Sequence, residues 1–247
     1  MTFILGAQMR FAQHVSLAAL VFSTMSARAE AQLPTVQQVF DTFATAVGGR
    51  DAWSKVQGRS DKGTADITFA GISGRYERHT GVSNKMRMII DLGVGTMDQG
   101  FDGTVGWSAP PMGQASRMTP EQEKSLSESI QVGAAFLDVS RFASASVDGR
   151  ETFDGVECYR LSITSKLGEA RTDYFEVATG LRRGAVTKTP TGAQKSVFRD
   201  YKAFEGRRVP TKIVQATPQG DVIITIAEVS FTPPDPSLFK APDGIAK

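Results

Sequence analysis

Turn-forming residues interrupt this chain too often for long helices to dominate it. From Gly58 onward, clusters of Gly, Asp, Asn and Pro recur roughly every eight to twelve residues, the spacing of an all-β domain. The connectors "KLGE", "ATG", "PTG", "EG" and "PQG" each supply residues that tolerate the tight bends of antiparallel hairpins. Between them the apolar period is two. In "KMRMII", Met86, Met88 and Ile90 share one face while Lys85 and Arg87 take the other, as in a strand that is dry on one side and wet on the other. About eleven or twelve such segments, in two blocks, predict a mainly β (α+β) chain built as a large curved sheet or barrel.

Two stretches break the pattern. In "PTVQQVFDTFATAVGG", Val36, Val39, Phe40, Phe43, Ala44 and Val47 lie at helical spacing, with Thr35 and Gln38 as a capping box and Gly48-Gly49 as the stop. Trp53, in the short turn that follows, is expected to pack inward. The second, "TPEQEKSLSESIQVGAAFLDVSRF", opens with Thr119 as N-cap, Pro120 at the first helical position and two early glutamates. Its apolar stripe is weak and Gly133 interrupts it, which suits a cover more than a core element. "FRDYKAFEGRRVPTKI" reads as two strands joined through Glu205-Gly206, and Pro210 requires an edge position or a bulge in the second.

The first 31 residues are expected to be a cleavable export signal. Arg10 precedes the apolar run "VSLAALVF", and small residues place the cut after Ala29 or Ala31. Residues 32–247 then form a single domain, in which 110–142 is a helical cover. No Cys lies near the cut to take a lipid, so the mature product is expected to be soluble and unanchored. Removal of residues 1–29 would take away Arg10 and Arg28 and no acidic residue, lowering the net charge from +2 to zero. A neutral chain has no general attraction to nucleic acid.

Chemistry-bearing residues are scarce. The mature chain would keep one histidine, His79, and one cysteine, Cys158. Neither an internal disulfide nor a His/Cys zinc set can be assembled, and no nucleophile–base pattern is present. No cofactor, metal or catalytic residue is expected, and the chain reads as a binding protein rather than an enzyme. His79 reads as a surface residue on an outward strand face and Cys158 as a small apolar packing group. "LRRG" and "GRRVP" hold two basic pairs that could meet lipid headgroups if the fold brings them to one rim.

Four segments in order resemble the LolA-like periplasmic lipoprotein carriers and their relatives in the lipoprotein-sorting superfamily: "FDGTVGW", "DYFEVATGLRRG", "FRDYKAFEGRRVPTKI" and "VSFTPPDPSLFKAP". The resemblance runs over roughly residues 35–242. It implies a half-open antiparallel β-barrel of about eleven strands, with an N-terminal helix and a helical cover over an apolar cavity. The stretch "ERHTGVSNKMRM" departs from the carriers' turn between early strands, a difference that bears on the cargo rather than on the fold.

On this reading the cavity would be lined by Phe69, Tyr76, Met86, Met88, Ile90, Phe101, Trp107, Phe175, Ile224 and Ile226. Leu126, Ile130 and Leu137 would face it from the cover, and Arg75 is the candidate for the arginine that holds the cover closed. The expected partner is a lipid or the acyl chains of a lipoprotein, with a membrane-associated envelope protein as a second. Burying a chain of about fourteen carbons at ~0.8 kcal/mol per CH2 stabilises a complex by roughly 10 kcal/mol before ordering costs. The alternative is a non-catalytic envelope sensor or scaffold of the same fold.

Overall fold

In the computed structural model, residues 32–189 and 192–245 are described. The expected signal segment lies outside them. Helix α1 (Val36–Ala46) is capped as its sequence requires: Gln38 N–H donates to Thr35 Oγ1 at 3.2 Å, and Thr35 N–H donates to Gln38 Oε1 at 2.8 Å. A five-residue helix α2 (Arg50–Ser54) follows and buries Trp53. Six strands come next: β1 (Gly58–Ile67), β2 (Ile72–Gly81), β3 (Lys85–Asp91), β4 (Thr96–Phe101), β5 (Gly106–Ala109) and β6 (Ser116–Arg117). Helix α3 (Pro120–Ser129) and two short 3-10 turns, Gly133–Leu137 and Val139–Arg141, lead into the second block. That block comprises β7 (Phe142–Phe153), β8 (Val156–Ser165), β9 (Ala170–Glu176), β10 (Arg182–Thr189), β11 (Gly192–Phe204), β12 (Arg207–Thr217) and β13 (Gly220–Ser230).

All thirteen strands of the described residues belong to one antiparallel sheet, in the order β6-β5-β4-β3-β2-β1-β13-β12-β11-β10-β9-β8-β7. Each strand pairs with its neighbour in sequence, so ordinary hairpins build both halves. The pairing of β1 with β13 joins them, at Ala65 opposite Ile224 and Thr64 opposite Thr225. The two edges are β6 and β7. Residues 118–141, which connect them, run between the edges, and the sheet is therefore a barrel left open on one side.

The count exceeds the expected eleven because β6 is only two residues long and β7 alternates only small apolar residues with serines. Strand β7, "FASASVDGRETF", is exposed along most of its length, as an edge tolerates. The cover also differs from a continuous helix. Helix α3 ends after ten residues at an extended Ile130, and Gly133 adopts φ +65° where the following 3-10 turn begins. A Cβ at Gly133 would stand 3.0 Å from the Val56 carbonyl oxygen and 3.2 Å from that of Trp53, so the cover approaches the α2–β1 connection at a positive φ where glycine is favoured.

The main core lies where α1 and α2 pack on the concave face of the second block. Val39, Phe40, Phe43, Trp53, Leu161, Phe175 and Val209 are all buried there. Phe40 and Phe43 meet Phe175 at ring-centroid distances of 5.4 and 5.3 Å. Burial of each large side chain of α1 contributes about 1.5–3 kcal/mol, which holds a helix too short to be stable alone. A second cluster on β1–β3 and β13 contains Ala65, Tyr76, Ile90, Ile224 and Ile226.

The opposite face carries its own small core of Phe153, Cys158, Tyr174 and Val197, with the Phe153 and Tyr174 rings stacked at 4.0 Å. Burial and the neighbouring Glu176 push the Cys158 thiol up to about 11, so it stays protonated and packs. His79 is not a surface residue: it is buried, with Nδ1 2.9 Å from Ser60 Oγ. On this face the C-terminal segment covers the ends of β1 and β2, where Pro233 and Pro234 lie against Gly58 and the Phe239 ring against Gly81.

The hairpin of residues 198–213 forms as expected, with Glu205 (φ +48°) and Gly206 (φ +77°) at its turn. Strand β12 lies inside the sheet, yet its pairing with β13 starts only at Lys212. Pro210 sits on the stretch that has lost this partner and pairs with Tyr201 alone, so its missing N–H interrupts no ladder. Helix α1 docks there instead, and Arg208 N–H donates to the Val47 carbonyl at 3.0 Å.

Candidate ligand cavity

Beneath the cover, the concave face leaves two adjoining spaces. The first, of about 280 Å³, has strand residues for a floor: Arg59 and Asp61 of β1, Tyr76, Arg78 and Thr80 of β2, and Ile226, Ile213 and Tyr201 from β13, β12 and β11. Phe43, Val47, Trp53 and Val56 wall it, and Ser129, Gln131, Val132, Gly133 and Phe136 roof it. The second, of about 250 Å³, is bounded by Phe40, Phe142, Phe175, Ala185, Thr187, Arg171 and Asp173. Phe43, Ser129, Gln131, Phe136, Arg182 and Phe198 belong to both linings.

Alternation along the strands explains the mixture. Tyr76 faces inward, so Arg78 and Thr80, two and four residues on, do too. Asp61 is 3% exposed and accepts from Arg59 Nε at 2.6 Å. Asp173, 1% exposed, accepts from Arg171 Nε at 3.1 Å and from Arg182 NH2 at 2.7 Å. The Arg182 guanidinium also lies 5.0 Å from the centre of the Phe198 ring, and its Nε is buried without an acceptor. Tyr201 donates to the Arg182 carbonyl at 2.7 Å, and burial raises its pKa.

The cover is held at several points. Arg50 NH1 donates to the Leu137 carbonyl at 2.8 Å, and Arg141 donates to the carbonyls of Glu128 (2.8 Å) and Ala135 (3.3 Å). The Phe136 ring packs edge-on against Trp53 at 4.8 Å and Phe43 at 5.8 Å. Ile130 closes on Met86 and Phe101, with Met88 and Leu126 beside them. At the head of α3, Glu123 accepts from the Gly106 N–H and from Arg117 Nε, each at 2.9 Å. These bonds hold its carboxyl below the usual glutamate range.

Of the expected lining residues, Tyr76 and Ile226 bound the first space and Phe175 the second. Ile90 and Ile224 lie buried beside Tyr76. Met86, Met88 and Phe101 meet the cover through Ile130 and Leu126, and Leu137 is fully buried in the main core. Phe69 is not with them: it stands 54% exposed beyond the end of β1. Trp107 is fully buried on the other face, stacked over Gly100, because it pairs there on the Arg87 and Asp98 side of the sheet.

Arg75 also points away from the cover and pairs with Asp91 at 2.6 Å, so Arg50 and Arg141 occupy the place expected for it. The cavity arginines carry no apolar signature in the sequence, although an inward Tyr76 already implies an inward Arg78. Of the basic pairs at 181–184 and 206–210, one member of each, Arg182 and Arg208, lines the first space, while Arg183 pairs with Asp154 and Glu176 and Arg207 with the Ala52 carbonyl.

No family model matches the chain, and no curated protein matches it in sequence. Among solved structures it is similar to the LolA superfamily protein NE2245 from Nitrosomonas europaea: 14% identity and a TM-score of 0.55, over 85% of this chain and 99% of that one. A DUF1329 family protein from Desulfovibrio piger ATCC 29098 is similar at 14% identity and a TM-score of 0.51, over 78% and 92% of the two chains. The likeness is one of fold.

Proposed function

We propose that this chain, which has the fold of the LolA superfamily, is a periplasmic binding protein. It sequesters the apolar chain of a lipid, or of a lipid-modified protein, beneath residues 129–136. The observation that carries this reading is the pair of adjoining spaces between the concave face and a cover held by side-chain packing and by side-chain hydrogen bonds such as Arg50 to the Leu137 carbonyl. Such an attachment can open without unfolding the sheet, because no strand pairing crosses it.

The linings support sequestration over bond chemistry. Neither space contains a histidine, cysteine, lysine or glutamate, and the two aspartates are each engaged by arginine. Among the described residues no helix is long and apolar enough to cross a membrane. Export is the reading of the N-terminal segment given above.

Native mass spectrometry of the protein purified from a periplasmic extract, followed by lipid extraction, tests the proposal. A stoichiometric acylated species released on denaturation is the expected result. A clean protein mass with no uptake of offered lipids would overturn it.

A further inference from the structure

The charge of the cavity defines its ligand more closely. We infer that it accepts a single-chain amphiphile with an anionic head, the head among the arginines of the first space and the chain among the rings of the second. This rests on the binding function proposed above and adds the class of ligand.

Four arginines, Arg59, Arg78, Arg182 and Arg208, line the first space against one carboxylate, Asp61. That carboxylate is already taken by Arg59 at 2.6 Å. Arg182 shares Asp173 with Arg171, and its buried Nε has no acceptor. The side chains of Arg78 and Arg208 have no hydrogen-bond or ion-pair partner among the described residues. The whole chain carries a net charge of only +2, so this excess is a property of the cavity rather than of the surface at large. Guanidinium groups beside a partly desolvated space favour an acceptor that brings negative charge.

The second space is built for the other end of the molecule. Phe40, Phe43, Phe136, Phe142, Phe175 and Phe198 surround it, and its Arg171–Asp173–Arg182 set lacks only a partner for Arg182 Nε. Spaces of about 280 and 250 Å³ fall near the lower end of the usual range for ligand sites, which fits one chain and not several. A neutral lipid would fill the rings equally well and leave the half-buried Arg78 and the buried Arg182 Nε unanswered.

The test uses the delipidated protein at low ionic strength and neutral pH. Dodecanoic acid, its methyl ester and dodecyl phosphate each compete with a fluorescent fatty-acid probe. Charge-assisted hydrogen bonds predict that at least one of the two anions binds about tenfold or more tighter than the ester. The order of the two anions distinguishes a carboxylate source from a phosphate source. In the double variant Arg78→Gln/Arg208→Gln the advantage should shrink several-fold while ester affinity holds.

Equal binding of acid, phosphate and ester by the unmodified protein would overturn the anionic head and leave the binding function standing. Failure of all three to bind would remove the binding function itself. The comparison on unmodified protein decides the matter even if the variant does not fold.

Discussion

Replacing Asp173 by Asn should lower stability and raise affinity for an anion at the same time. Asp173 is 1% exposed and accepts three hydrogen bonds: two from Arg171, at 3.1 and 3.3 Å, and one from Arg182 at 2.7 Å. The substitution keeps the shape and removes the charge, leaving two guanidinium groups without their counter-ion. Breaking a buried pair from one side costs about 3–5 kcal/mol. Both arginines retain 27% side-chain exposure, and water recovers part of that loss.

An effect of about 3 kcal/mol, at the lower end, is therefore expected. In urea the midpoint should fall while the slope stays constant, because the exposed surface is unchanged. In a thermal scan of a domain this size the same loss lowers the midpoint by about 6–12 °C. The cavity meanwhile gains one unit of net positive charge, so dodecanoic acid should bind several-fold tighter and its methyl ester unchanged. A destabilisation below about 1 kcal/mol would show that solvent already neutralises the arginines. A parallel fall in acid and ester affinity would show that Asp173 shapes the cavity rather than balancing its charge.

Two further outcomes follow from the cover. Gly133→Ala places a Cβ 3.0 Å from the Val56 oxygen at φ +65°, and should cost about 1–2 kcal/mol while accelerating amide exchange over residues 126–137 more than in the sheet. Glu123 has a depressed pKa, so its contribution is present above the unfolded glutamate value of about 4.3 and disappears as pH falls through the lower folded value. Amide protection in α3 should therefore weaken on acidification below pH ~4 before the sheet opens, and Glu123→Gln should abolish that pH step; a step that persists in the variant would assign it to another group.

The hairpins were legible because turn chemistry and period-two alternation are local properties. Glu205-Gly206 and the alternation of Met86, Met88 and Ile90 each specify their geometry within a few residues. The capping box of Thr35 with Gln38 and the Thr119 N-cap were equally plain, since both act within three residues of the helix end; that Gln122 completes a second capping box emerged only in the structure. Strand β7 was not legible: in "FASASVDGRETF" only small residues, Ala143, Ala145 and Val147, alternate with polar ones, because an edge strand needs backbone partners more than a strong apolar face. The break in the cover was equally hidden. Helix α3 stops at Ser129, and Gly133, four residues on, approaches Val56, 77 residues away in the chain.

By itself, then, the sequence determined a mainly antiparallel β chain with two capped helices, few groups able to do chemistry, and a set of motifs resembling the LolA-like carriers. Only the tertiary structure decided which face each strand turns inward once bulges and edges intervene. It sent Trp107 and Arg75 away from the cavity, brought Arg50 and Arg141 to the cover, and gathered Arg59, Arg78, Arg182 and Arg208 around one space. Those arginines lie on four strands separated by up to 149 residues of sequence, and no local pattern records their meeting. The closure of β1 on β13 puts them on one concave surface, and the cover removes part of that surface from water.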